Sequence, residues 1–177
     1  SGTKASAFTY TAAPAPTVAS VSPSSGTVGG NLGAGTMTVT ANSALNGTAD
    51  AGTVTLNSGT LTLGSAGRFT SNQVVLTGSS GAALALGGNE SVGSIAGAFD
   101  TNLGSGTLTT GNANTSTSYS GAISGAGGLT KTGTGTLTLT GSSGYAGATA
   151  VNAGVLTIQN GSALGSRIAE VHNGSSL

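Results

Sequence analysis

"GGLTKTGTGTLTLTGSSGYAGATAVNAGVLTI", residues 127–158, carries a single charged side chain, Lys131, and sets threonine against an apolar residue at nearly every second position. Within "GTLTLTG" (135–141), Leu137 and Leu139 alternate with Thr136, Thr138 and Thr140. A period of two belongs to a β-strand with one buried face. The leucines are expected inside and the threonines outside.

The same pattern recurs outward from this stretch. Upstream lie "GTMTVT" (35–40), "GTVTLN" (52–57), "GTLTLG" (59–64), "NQVVLTG" (72–78), "AALALGG" (82–88) and "GTLTTG" (106–111). Each segment is four or five residues of alternation bounded by Gly, Asn or Ser, which are turn formers. Thr and Val suit a pleated, half-buried surface. Strands this short, returning about every twenty residues, describe the coil of a solenoid, whose rungs stack about 4.8 Å apart. A β-sandwich is the rival, but it calls for larger core residues and more aromatics. The predicted fold class is all-β: a β-solenoid of the right-handed parallel β-helix type with an extended N-terminal segment. Ile123, Leu129, Leu137, Leu139, Val151, Leu156 and Ile158 are the expected core.

Composition narrows the function. The 177 residues include 33 glycines but only three Phe, three Tyr and no Trp, so the core is expected to be a thin aliphatic file. Four basic and four acidic residues give a net charge of zero, leaving no basic patch for nucleic acid. No apolar run is long enough for a membrane helix, and Lys4 is followed by no apolar segment of a signal peptide. The absence of cysteine excludes disulfides and thiolate metal sites.

Residues 1–30 hold all three prolines, Pro14, Pro16 and Pro23, and read as an extended segment, linker or edge strand. Residues 31–165 read as solenoid repeats. Residues 166–177 form a C-terminal tail, the one place with helical flavour.

Residues 84–165 resemble the passenger regions of bacterial autotransporters. The likeness is strongest to the passenger-associated transport repeat. It rests on the "GLTK" opening (128–131), the "GTLTL" strand (135–139), the Tyr145–Thr149 turn and the "VNAGVL" exit (151–156). "LALGGNESVGSIAG" (84–97) and "SYSGAISGAGGLTK" (118–131) are also typical of such passengers. A full autotransporter has a C-terminal membrane barrel, which would be the translocating partner if this chain is part of one. Residues 7–30, "AFTYTAAPAPTVASVSPSSGTVGG", resemble the junction between two TIG modules.

Candidate chemistry is sparse. Enzymes on β-helices require clustered acids, and acid–base work needs paired groups within reach of one substrate. Asp50, Glu90, Asp100 and Glu170 lie far apart along the chain and read as solvated turn residues. His172 is a lone terminal histidine with no triad around it. The glycine-rich motifs lack the Lys-Ser/Thr of a phosphate loop, and no regularly placed Asp marks a calcium-binding repeat. Sequons at Asn46, Asn89, Asn114 and Asn173 fit exposed turns. Rows of outward threonine could order water and bind ice, but along the sequence they are broken at Gln73, Lys131 and Asn152.

No catalytic, cofactor-binding or metal-ligating residue is therefore assigned, and no cofactor is expected. The sequence predicts a non-enzymatic, adhesin-like structural protein, outside the cell or on the bacterial surface. Expected partners are its own copies, through strand addition or end-to-end stacking into filaments, and a host or environmental surface or polysaccharide. A carbohydrate-active β-helix enzyme is the alternative, which a cluster of Asp50, Glu90 and Asp100 in one groove would favour. Ice binding ranks below it.

Overall fold

A computed structural model describes residues 8–12, 18–20, 26–28, 31–32, 35–49, 51–172 and 174–177, with side chains from residue 35 onward. Asp50, Asn173 and the three prolines lie outside the described residues, as does most of the stretch that resembles a TIG junction.

The strands are short, as the alternation predicts, and every pairing among the strands after the second runs in parallel between successive turns. β1 (Phe8–Ala12) and β2 (Val18–Ser20) come first, then β3 (Gly26–Val28) and β4 (Asn31–Leu32). The first full turn comprises β5 (Gly35–Val39), β6 (Ser43–Leu45) and β7 (Thr48–Ala49). The second has β8 (Thr53–Leu56) and β9 (Gly59–Leu63), with Phe69 bridging in parallel to Ala49. The third holds β10 (Val75–Gly78), β11 (Ala82–Ala85) and β12 (Glu90–Val92). The fourth holds β13 (Ser94–Gly97), β14 (Asp100–Asn102) and β15 (Leu108–Thr110). The fifth is β16 (Thr117–Tyr119), β17 (Ile123–Ser124) and β18 (Leu129–Lys131). β19 (Thr136–Leu139) and β20 (Thr149–Val151) make the sixth, β21 (Gly154–Ile158) and β22 (Ala169–Val171) the seventh, and β23 (Ser175–Ser176) follows.

These strands stack into three faces of a β-solenoid of about 7 turns. Face one runs β5-β8-β10-β13-β16-β19-β21-β23, face two β3-β6-β9-β11-β14-β17, and face three β12-β15-β18-β20-β22, with β4-β7 as a separate pair. The ladder crosses the boundary expected at residue 165. The tail read as faintly helical instead holds β22, which pairs with β20, and β23, which pairs with β21. Residues that alternate find a ready partner in the edge of the preceding turn, and no helix of a few residues competes with that.

The N-terminal segment reverses direction. β1 lies antiparallel against β5 in register from Phe8↔Val39 to Ala12↔Gly35, and β2 lies antiparallel on β1. β1 and β2 thus occupy the outer edge of the first turn on face one, whereas β3 already stacks in parallel under β6 on face two.

Inside, one file climbs face one through Met37, Val54, Leu76, Ile95, Thr117, Leu137 and Leu156, all essentially solvent-free except the half-buried Thr117. Of the expected core, Ile123, Leu129, Leu137, Leu139, Val151 and Leu156 are buried, while Ile158 is half-buried near the last turn. The purely aliphatic file is corrected: Phe69, Phe99, Tyr119 and Tyr145 are all buried. The reason is visible in the second inward file, which passes through Gly78 and Gly97 before Tyr119. These glycines leave room for rings, and a Cβ on Gly78 would come within 3.0 Å of the Phe99 ring. Phe99 and Tyr119 meet edge to face with centroids 5.2 Å apart. The Tyr119 hydroxyl lies 2.8 Å from Thr101 Oγ1 and donates to the Phe99 carbonyl, so its polar end is satisfied.

Candidate functional site

The fold sends the charged residues to different environments. Glu90 begins β12 and points inward at 3% exposure. Its Oε2 accepts the Arg68 backbone N–H at 2.8 Å and its Oε1 accepts that of Phe69 at 3.1 Å. Face three has no strand at Phe69, and the carboxylate fills the gap between that turn and β12. Burial raises the Glu90 pKa, the N–H groups of Arg68, Phe69 and Ser91 and the Arg68 charge opposing it only in part. Glu90 was expected as a solvated turn residue; it is instead a buried structural acceptor.

Asp100 opens β14 on face two and is exposed, its Oδ1 accepting the Ala122 N–H of the next turn at 2.9 Å. Glu170 lies exposed in β22, beside a shallow groove lined by Ala148, Ser166, Arg167 and Ile168. β12 and β22 are separated by four rungs of face three, about 19 Å at the usual strand spacing. Asp50 lies outside the described residues. The fold does not bring Glu90, Asp100 and Glu170 together, and among the described residues no three His, Cys, Asp or Glu side chains form a group able to hold a metal. His172 is exposed, its Nδ1 2.6 Å from Asn152 Oδ1.

Lys131 is the second surprise. The sequence placed it among the outward threonines, but it sits in an inward file between Thr110 and Val151 at 1% exposure. Its Nζ donates to the carbonyls of Thr132, Gly133 (2.9 Å) and Ala153 (3.2 Å). All three ammonium protons find acceptors at one corner, in its own turn and the next, while desolvation lowers the pKa. The corner itself needs glycine. Gly133 and Gly154 have φ of 65° and 68°, and a Cβ on Gly133 would lie 1.9 Å from the Gly111 carbonyl oxygen. Further along the same stretch, Tyr145 and Thr149 are wholly buried and joined through their hydroxyls.

Residues 129–158 match the passenger-associated-transport-repeat model. The matched span runs from β18 to the end of β21, and since Leu129 pairs with Thr149 one turn later, the repeat covers about one and a half turns of the coil. Its distinctive residues have structural work: Lys131 ties a corner, Tyr145 fills one, and Leu137, Leu139 and Leu156 supply the inward files. Comparison with curated proteins and with solved structures gives no significant match.

The sequons also have a structural use. Asn89 and Asn114 are exposed, and the Oδ1 of each accepts a backbone N–H from the following turn, Thr107 at 2.8 Å and Thr134 at 2.9 Å. Such a bond recurs at Asn42, whose Oδ1 accepts from Thr60. Asparagine at a corner therefore extends the ladder where the strands stop.

What remains for contact with other molecules is the outer side of the faces. On face three the outward residues are Ser91, Thr109, Thr130, Ala150 and Glu170. Face two shows Ala44, Thr62, Ala85, Asn102 and Ser124. Face one shows Thr38, Thr55, Thr77, Ala96, Ser118, Thr138 and Thr157, and none of its strands holds a charged residue. The breaks expected at Gln73, Lys131 and Asn152 do not fall in that column. Gln73 precedes β10, Lys131 points inward on face three, and Asn152 follows β20.

Proposed function

We propose that the chain is a non-enzymatic scaffold of the passenger type, displayed outside a bacterial cell, whose stacked turns span distance and present a neutral outer surface. The observation that carries this reading is the passenger-associated transport repeat lying in register within a continuous parallel ladder. Within the repeat, Lys131, Leu137, Leu139, Tyr145 and Leu156 are spent on the coil. The buried Glu90 and Lys131 satisfy backbone groups, and the exposed Asp100 and Glu170 are on different faces, which leaves no paired acid and base among the described residues. Adhesion would then come from the outer faces, and the N-terminal strand would act as a cap on the first turn in preference to a donor for the next copy.

The test is surface display. The chain is fused ahead of an autotransporter barrel in a Gram-negative host, and protease accessibility on intact cells is measured. Display of the parent chain is expected, with marked loss for Leu137→Asp, which puts a charge into the file and blocks coil formation. Equal display of both would sink the passenger reading. Release of reducing sugar from a polysaccharide by the purified chain would replace it with the enzyme.

A further inference from the structure

We propose that face one is an ice-binding surface, with a crystalline water lattice as its partner. Each rung contributes one residue to the column Thr38–Thr55–Thr77–Ala96–Ser118–Thr138–Thr157. The register is given directly for all but one step. Ala96 opposite Ser118 follows from the adjacent Gly97↔Tyr119 pair. Six steps at the usual strand spacing make the column about 29 Å long. Two residues away, about 6.7 Å across the face, Thr36, Thr53 and Val75 flank the column at one end and Thr136 and Val155 at the other, while at the fourth rung the corresponding residue, Ser94, is buried.

Three independent features make this array more than a run of strand-forming residues. The backbone ladder fixes the rung spacing along the column, and five of its seven residues are threonines, whose β-branched side chains have few χ1 choices; Ala96 and Ser118 keep the column narrow between them. The hydroxyls are also uncommitted. Elsewhere they turn back onto the backbone: Ser58 to Thr40, Ser120 to Gly97, Thr132 to Thr110 and Ser175 to Val151. Thr55, Thr77, Ser118, Thr138 and Thr157 make no such bond among the described residues. Thirdly, the face is neutral and carries no outward aromatic in β5, β8, β10, β13, β16, β19 or β21.

Those features select the partner. A protein would be held by aromatic or arginine anchors in pockets, and a sugar chain by stacking on exposed rings; face one offers neither. A lattice of water has no net charge, repeats in two directions, and both donates and accepts hydrogen bonds at every oxygen. A rigid array of hydroxyls and methyls at about 4.8 Å intervals, close to the oxygen repeat of ice, meets it without ordering any side chain first. The inference stands apart from the passenger reading, since any protein with this face would share it.

The experiment measures the gap between melting and growth temperatures of a single ice crystal in a solution of the full chain, with the crystal habit. Thr77→Lys and Thr138→Lys place a solvated charge in the column, and Thr62→Lys places one on face two. The parent chain and Thr62→Lys are expected to give a gap and faceted crystals, and both column variants to abolish them while keeping the β circular-dichroism signal. Thr138→Val, which keeps the shape and removes the hydroxyl, replaces a lysine variant that fails to fold; it is expected to narrow the gap. No gap and no faceting with the folded parent chain would overturn the proposal. So would a gap that survives both column variants or vanishes equally with Thr62→Lys. Face-to-face dimers in sedimentation that dissociate in Thr77→Lys would assign the face to a second copy instead.

Discussion

Leu137 and Thr138 are neighbours with opposite fates: one is 2% exposed in the inward file, the other half-exposed on face one. Leu137→Ala would leave a cavity among close-packed neighbours and is expected to cost about 2–5 kcal/mol in urea unfolding. Thr138→Ala removes only outward atoms and should stay within about 0.5 kcal/mol. Equal losses would invert the assignment of faces. Glu90 supplies a second residue-scale prediction. Its folded pKa is raised, so the native chain holds this proton to higher pH than the unfolded chain does. The stabilisation linked to that proton is complete below the unfolded carboxylate pKa and is lost as pH rises through the folded one. The melting temperature of the parent chain should therefore carry a downward component across that window. Glu90→Gln should remove it, and an unchanged pH profile in the variant would show that Glu90 does not titrate there.

At the scale of elements, the N-terminal pair matters most. β5 would otherwise present a row of unpaired N–H and C=O groups at the first turn, and an open edge of that kind recruits other strands. β1 covers it across five paired residues, in the antiparallel sense that ends a parallel stack. Deleting residues 1–20 is expected to convert a single sedimenting species into larger aggregates. Loss of a polymer on deletion would instead make the segment a donor strand between copies. The alternation made the strands and the inward leucines legible, because period two survives any change of partner. It did not make Lys131 legible: an ammonium in an inward file looks like an error until the three corner carbonyls are in place.

For the whole molecule, stacking decides what can work together. In a solenoid, residues one turn apart in sequence become neighbours, while residues on different faces stay apart however close they are in the chain. Glu90 and Asp100 are separated by fewer residues than one turn, yet one faces the interior from face three and the other faces solvent on face two. The double variant Asp100→Asn, Glu170→Gln is accordingly expected to leave every surface-display or adhesion assay unchanged. A polysaccharide-cleaving activity that disappears in it would restore the enzyme reading.

The sequence by itself determined that the chain is a coil of short strands with small residues at its corners, and its motifs between 128 and 156 pointed to the repeat whose model matches 129–158. Those features are local: alternation, glycine turns and a motif are written in adjacent residues. Only the tertiary structure decided which side chains share a file. That is set by the length of each turn, which ranges from Thr38↔Thr55 to Thr55↔Thr77 and cannot be read from one strand alone. For that reason the rings at Phe99 and Tyr119 close over Gly78 and Gly97, the carboxylate of Glu90 mends a missing strand, and threonines that look interrupted along the chain form a column on face one.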